Sequence, residues 1–179
     1  MDASAGFWVF GYGSLIWNPG FAAEERVLAR LSGYRRAFCM ASIVYRGTPE
    51  APGLVLALDR QSEADCAGVA YRVAPREGAA TLAYLRAREL VSSAYLEALE
   101  PVELADGRRV PALTYVMDPE HHQYRGDLSL AAQADIIARA EGPAGPNREY
   151  LENTVAGLAD LGLEDPDLEW LAHRVRGLG

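Results

Sequence analysis

The chain has 179 residues, half of them hydrophobic, and a formal net charge of −8. That length suits a single domain over residues 1–179 with a sizeable core, and the charge argues against nucleic acid or an anionic membrane surface as the main partner. All 17 basic residues are arginine; without lysine, Schiff-base chemistry, a lysine-held pyridoxal cofactor and a P-loop are excluded.

The first two-thirds read mainly as strands. Trp8 to Tyr12 is an apolar, aromatic run interrupted by glycine, the form of a buried strand. Val27 to Met40 is a second extended stretch, broken at Ser32-Gly33. Leu54 to Leu58 and Gly68 to Val73 read as two short strands with a polar loop between them. Leu96 to Leu104 and Val110 to Met117 flank Ala105-Asp106-Gly107 as a hairpin. The last third reads as helices. One spans Ser129 to Glu141 and stops at Gly142-Pro143. Asn147 is placed to cap a second, with Leu151, Val155 and Leu158 on one face. Asp165-Pro166 opens a third, with an N-cap and a proline at the first helical position. Many short strands with helices segregated from them indicate an α+β fold. Cys39 and Cys66, in apolar surroundings, read as reduced core thiols. With no signal-peptide pattern and no apolar run long enough to span a bilayer, the expected location is cytoplasmic.

One further helix is predicted among the strands, from Arg76 to Val91. At 3.6 residues per turn, Leu85, Glu89, Leu82, Arg86, Ala79, Leu90 and Ala83 share one face, and Tyr84, Ala87, Arg88 and Thr81 the other. Glu89 thus falls within an apolar stripe. A carboxylate there needs a partner or has its pKa raised by desolvation, and a raised pKa suits a general acid/base near neutral pH.

Phe10-Gly11-Tyr12-Gly13-Ser14-Leu15-Ile16-Trp17 is a strand running into a glycine-flanked turn, where a ligand can approach the backbone N–H groups. It is neither a dinucleotide fingerprint, which needs glycine at Ile16, nor a nucleophile elbow, which needs glycine at Tyr12 and Ile16. On spacing alone a tight turn without a ligand is an equal reading. Ser14 has no identifiable histidine or lysine base beside it, which disfavours a covalent nucleophile. His121-His122 lacks a third ligand of suitable spacing, so metal binding is not expected. His173 reads as a surface residue.

This opening resembles the ChaC family of glutathione-specific γ-glutamylcyclotransferases, and the resemblance continues along nearly the whole chain. It covers Gly33-Tyr34-Arg35-Arg36-Ala37-Phe38-Cys39, Arg46-Gly47-Thr48-Pro49 with Pro52-Gly53-Leu54, and Gly68-Val69-Ala70-Tyr71. It continues through Arg88-Glu89 with Ala94-Tyr95, Tyr124-Arg125-Gly126, and Gly145-Pro146-Asn147-Arg148-Glu149-Tyr150-Leu151. One departure is Ser93, where family members often carry glycine.

The resemblance implies an α+β fold with a small mixed, barrel-like β-sheet flanked by helices, and neither metal nor organic cofactor. It implies a lyase whose substrate is a small molecule, glutathione, with no nucleic-acid or membrane partner. Glu89 is then the general acid/base. Tyr12, Gly13, Ser14 and Leu15 bind the γ-glutamyl end, and Tyr124 hydrogen-bonds the substrate or orients Glu89. Arg46, Arg88 and Arg125 are candidates for the glycyl carboxylate, each of them also an ordinary surface charge. Two alternatives stay open: a cyclotransferase for other γ-glutamyl compounds, and a non-catalytic binding module on the same fold.

Overall fold

The computed structural model of the chain describes residues 5–178. Its strands are β1 (Phe7–Gly11), β2 (Glu25–Ser42), β3 (Gly53–Val73), β4 (Tyr95–Leu104), β5 (Arg109–Met117), and the two-residue β6 (Glu141–Gly142) and β7 (Gly145–Pro146). Its helices are α1 (Ser14–Trp17), α2 (Pro75–Glu89), α3 (Leu130–Arg139), α4 (Asn147–Asp160) and α5 (Pro166–Arg176). The chain forms two compact units. The first takes the chain up to Arg36 and Leu58–Asp118; the second takes Ala37–Ala57 and the chain from Pro119 onward.

The first unit is built on a closed barrel of strand order β1-β3-β2-β4-β5. β1 lies antiparallel to β3, with Val9 opposite Tyr71, and parallel to β5, with Val9 beside Leu113. Closure leaves β1 with a partner on both edges, which fits its uninterrupted apolar sequence: all five residues are buried. β4 and β5 form the predicted hairpin from Tyr95↔Met117 to Glu103↔Arg109. Gly107 takes φ +88° in its turn, a conformation that costs glycine little. Val9, Phe10, Leu58, Ala70, Leu113 and Tyr115 are among the residues buried in this unit. α2 starts on Pro75 at its first position and buries Gly78, Thr81, Leu82 and Leu85. Truncating Leu85, which is fully buried, to alanine would cost about 2–5 kcal/mol.

The second unit holds α3, α4 and α5. Ser129 caps α3 by accepting from Ala132 N, and Asp165 caps α5 by accepting from Leu168 N. Ile137, Leu151, Leu158, Leu168 and Leu171 are among its buried apolar residues. Among the described residues no helix is long and apolar enough to cross a membrane.

Four local expectations are corrected. β2 runs unbroken through Ser32-Gly33, with Gly33 at φ +84° inside the strand. The two short strands at 54–58 and 68–73 are one strand, β3, whose middle from Arg60 to Ala64 is mostly solvent-exposed. Polar residues there face water on both sides, so the alternation that marks a half-buried strand is missing. Asn147 does not cap α4 but is its first residue. Its carboxamide is fully buried, accepting from Leu54 N at 2.7 Å and donating to Leu54 O at 2.7 Å. On α2 the buried face includes Thr81, while Ala79, Ala83 and Arg86 are exposed; the stripe is rotated toward Gly78 and Thr81.

Candidate active site

The turn after β1 is held by side chains from the surrounding strands. The Tyr12 hydroxyl donates to Tyr115 O at 2.9 Å. The Tyr12 carbonyl accepts from Arg36 Nε at 2.6 Å, and the same guanidinium donates to the Ala67 carbonyl. Thr114 Oγ1 donates to Phe10 O at 3.2 Å, and the Tyr71 hydroxyl to Leu15 O at 2.8 Å. Within the turn, Ile16 N bonds Gly13 O at 2.9 Å and Asn18 N bonds Ser14 O at 2.8 Å. Tyr12, Gly13 and Leu15 are buried and Ser14 is half-buried.

Glu89 ends α2, and its side chain keeps 15% of its exposure. Burial pushes its carboxyl above the ordinary carboxylate range; the neighbouring Arg88 offsets part of that rise. A helix C-terminus, where backbone carbonyls carry partial negative charge, is also unfavourable for a carboxylate. Arg88 Nε lies 3.2 Å from Glu89 Oε1. The rest of its guanidinium reaches the turn, with Nη2 donating to Ser14 Oγ at 2.8 Å and Nη1 to Asn18 O at 2.7 Å and the Tyr84 hydroxyl at 2.8 Å. Ser14 and Glu89, 75 positions apart in the sequence, are therefore separated by one guanidinium.

On β5 the buried Tyr115 hydroxyl lies 3.4 Å from Glu97 Oε2. Desolvation raises its pKa, and the Glu97 and Glu89 carboxylates push it the same way. Arg86 grips Glu97 with two bonds, at 2.8 and 2.6 Å, and holds that carboxyl low. Sequence reading missed Arg36, Tyr71, Tyr115 and Glu97. The first two lie inside segments singled out for their resemblance, but nothing in a sequence tells which strand residue points at a turn.

The other expected residues lie in the second unit. Tyr124 forms an isolated antiparallel bridge with Met40 and is half-buried, its hydroxyl packed so closely over Gly126 that a Cβ there would collide with it. Arg46 is spent on the entry to α4, donating to Pro146 O at 3.0 Å and lying 3.4 Å from Glu149 Oε2. Arg125 bonds the His122 and Tyr124 carbonyls of its own loop at 2.8 and 2.7 Å. The loop bends enough to bring the His121 and His122 rings to 4.3 Å, and His173 is exposed.

Chemically, the first unit offers a carboxyl with a raised pKa beside a rigid, glycine-containing turn. That is the equipment for moving a proton on a ligand held by backbone groups. The sequence matches the ChaC-like protein family over residues 7–178. It is 39% identical to a glutathione-specific γ-glutamylcyclotransferase of Escherichia coli, covering 96% of this chain and 73% of the relative. It is 37% identical to γ-glutamylcyclotransferase 2-3 of Arabidopsis thaliana, covering 94% and 88%. A crystal structure of a glutathione-specific γ-glutamyl cyclotransferase from yeast superposes with a TM-score of 0.84 at 25% identity, over 97% of this chain and 99% of the other. On a match that runs through both units, the chain belongs to the ChaC family.

Proposed function

We propose that this chain converts glutathione to 5-oxoproline and cysteinylglycine. The α-amino nitrogen of the γ-glutamyl residue attacks its own side-chain amide carbonyl, the five-membered ring closes, and the bond to the cysteinyl nitrogen breaks. The nucleophile belongs to the substrate, so the protein has three tasks: to fold the substrate into the cyclising conformer, to take a proton from the ammonium group, and to give one to the departing nitrogen. Orientation supplies several kcal/mol of the barrier reduction.

Glu89 carries both proton transfers in this reading, first as carboxylate and then as acid. Backbone N–H groups of Tyr12, Gly13, Ser14 and Leu15 hold the γ-glutamyl end or the developing oxyanion. The observation that carries the reading is the half-buried Glu89 carboxyl, sharing one guanidinium with Ser14. A binding module has no use for a carboxyl raised by burial. The family match through both units supports residues 1–179 acting as one functional domain. The buried thiols Cys39 and Cys66 suit a reducing cytoplasm.

The test is incubation with reduced glutathione, following 5-oxoproline and cysteinylglycine. Glu89→Gln keeps shape and removes the proton acceptor. Its turnover should fall by at least about 10²–10⁴-fold, the usual share of acid/base catalysis. A folded Glu89→Gln protein turning over near the wild-type rate would remove Glu89 from the mechanism.

A further inference from the structure

Arg88 and Glu89 are consecutive on α2, and consecutive helical side chains do not normally face each other. They meet here because Glu89 is the last helical residue, where no following turn stands beside it. Every arm of the Arg88 guanidinium is engaged: Nε at Glu89, Nη2 at Ser14 Oγ, Nη1 at Asn18 O and the Tyr84 hydroxyl. One turn earlier on the same helix, Tyr84 presses so closely on Gly20 that a Cβ there would sit 2.0 Å from the phenol oxygen. Tyr84 and Arg88, at i and i+4, thus clasp the segment from Ser14 to Gly20. The Arg88 side chain is only 18% exposed; its bond to Ser14 is partly buried, which strengthens it, while those to Asn18 and Tyr84 lie at the surface.

We propose that Arg88 is a positioning residue for the reaction: its guanidinium locks the Glu89 carboxylate to the Ser14–Asn18 turn, rather than receiving a carboxylate of the substrate. The inference rests on Glu89 being the acid/base. Its consequence is electrostatic as well as geometric. Arg88 faces Glu89 from its own helix and favours the ionised form; the Tyr115 phenol faces it from β5, with Glu97 of β4 and Arg86 of α2 behind. Arg86 and Glu97 largely neutralise each other as a bidentate pair, which leaves Arg88 as the cation in contact with Glu89.

The experiment compares pH profiles of kcat/KM, with KM measured separately, for wild type, Arg88→Gln, Arg88→Lys and Glu89→Gln. Loss of a contacting cation raises a carboxyl pKa by roughly 1–3 units. The acid limb of Arg88→Gln should therefore move up by at least about one unit, with KM little changed. Arg88→Lys keeps the charge but cannot span Glu89 and Ser14 together, so its limb should return toward wild type while its plateau stays low. An acid limb of folded Arg88→Gln that superposes on wild type overturns the inference, as does a change confined to KM. If Arg88→Gln does not fold, Arg88→Lys decides alone: a lowered plateau on an unmoved limb supports the assignment, and a wild-type plateau overturns it. Glu89→Gln separates the two ideas. If it keeps wild-type activity, the acid/base reading falls; if it is inactive while the Arg88 variants behave as wild type, only the role of Arg88 falls.

Discussion

Under the proposed mechanism, Glu89 sits where two requirements conflict. Catalysis needs an ionisable group that changes state near neutral pH, whereas a folded interior penalises its charged form. Burial raises the carboxyl above its ordinary value of 4.5, and the effect on stability follows from the sign. A group whose folded pKa exceeds its unfolded pKa binds more protons in the native state. Its stabilising contribution is complete below the unfolded value and is lost as pH rises through the folded one. Glu89→Gln should therefore melt at or slightly above wild type at pH 7, with the difference closing toward pH 4 as Glu89 is protonated in both states. Paired thermal melts across that range check this. A variant that melts early at pH 7 would mark Glu89 as a structural ion-pair partner of Arg88. The wild-type acid limb of kcat/KM should likewise lie above the ordinary carboxylate range. Glu89 on an apolar stripe was legible from periodicity alone. Its bond to Arg88 was not, because it depends on where the helix stops, and α2 ends two residues before the expected Val91.

At the scale of elements, α3, α5 and the β4–β5 hairpin were legible because each carries its own boundary signal: the caps Ser129 and Asp165-Pro166, and the turn Asp106-Gly107. What misled was chemistry used for something else. Asn147 looked like a cap because asparagine at a helix start usually is one. Instead its carboxamide acts as a surrogate backbone group for Leu54. Asn147→Ala should leave the buried Leu54 N–H and C=O without those partners, at about 1–3 kcal/mol for each unsatisfied group. Urea denaturation should show a fall of that order, with the slope unchanged. An effect below about 0.5 kcal/mol would mean that both groups find other partners. Ser93 is the reverse case, a departure legible in sequence whose reason needed backbone angles. It adopts φ 58°, the left-handed region that glycine enters freely and other residues at a cost of about 1 kcal/mol. The link between Glu89 and β4 is therefore strained at Ser93.

For the whole molecule, the lysine-free composition and the charge of −8 narrowed the chemistry, but a barrel was expected only through the resemblance. Its closure depends on parallel pairing of β1 with β5, which no local signal announces. The proposed function makes its sharpest demand on the substrate. In a γ-linked peptide the amide carbonyl lies at five-ring distance from the amine; in an α-linked glutamyl peptide only a strained small ring is possible. The protein should therefore turn over glutathione but not the α-linked isomer, and treatment with a chelator should leave the rate unchanged. Equal turnover of the two isomers, or loss of activity with the chelator, would overturn the reading.

The seam between β1 and β5 also shapes how the chain must fold. Phe10 and Thr114 meet across it, although 104 residues separate them. During synthesis at about 5–20 residues per second, the first strand emerges many seconds before the partner for its second edge. Pairing with β3 covers one side sooner; the other, from an entirely apolar strand, stays open until the hairpin of β4 and β5 has been made. Barrel formation is thus gated by a late, non-local event, the kind that slows folding and exposes nascent chains to aggregation. A chain cut short anywhere before Arg109 would lack the strand that covers the second edge of β1 and would keep that apolar edge unpaired.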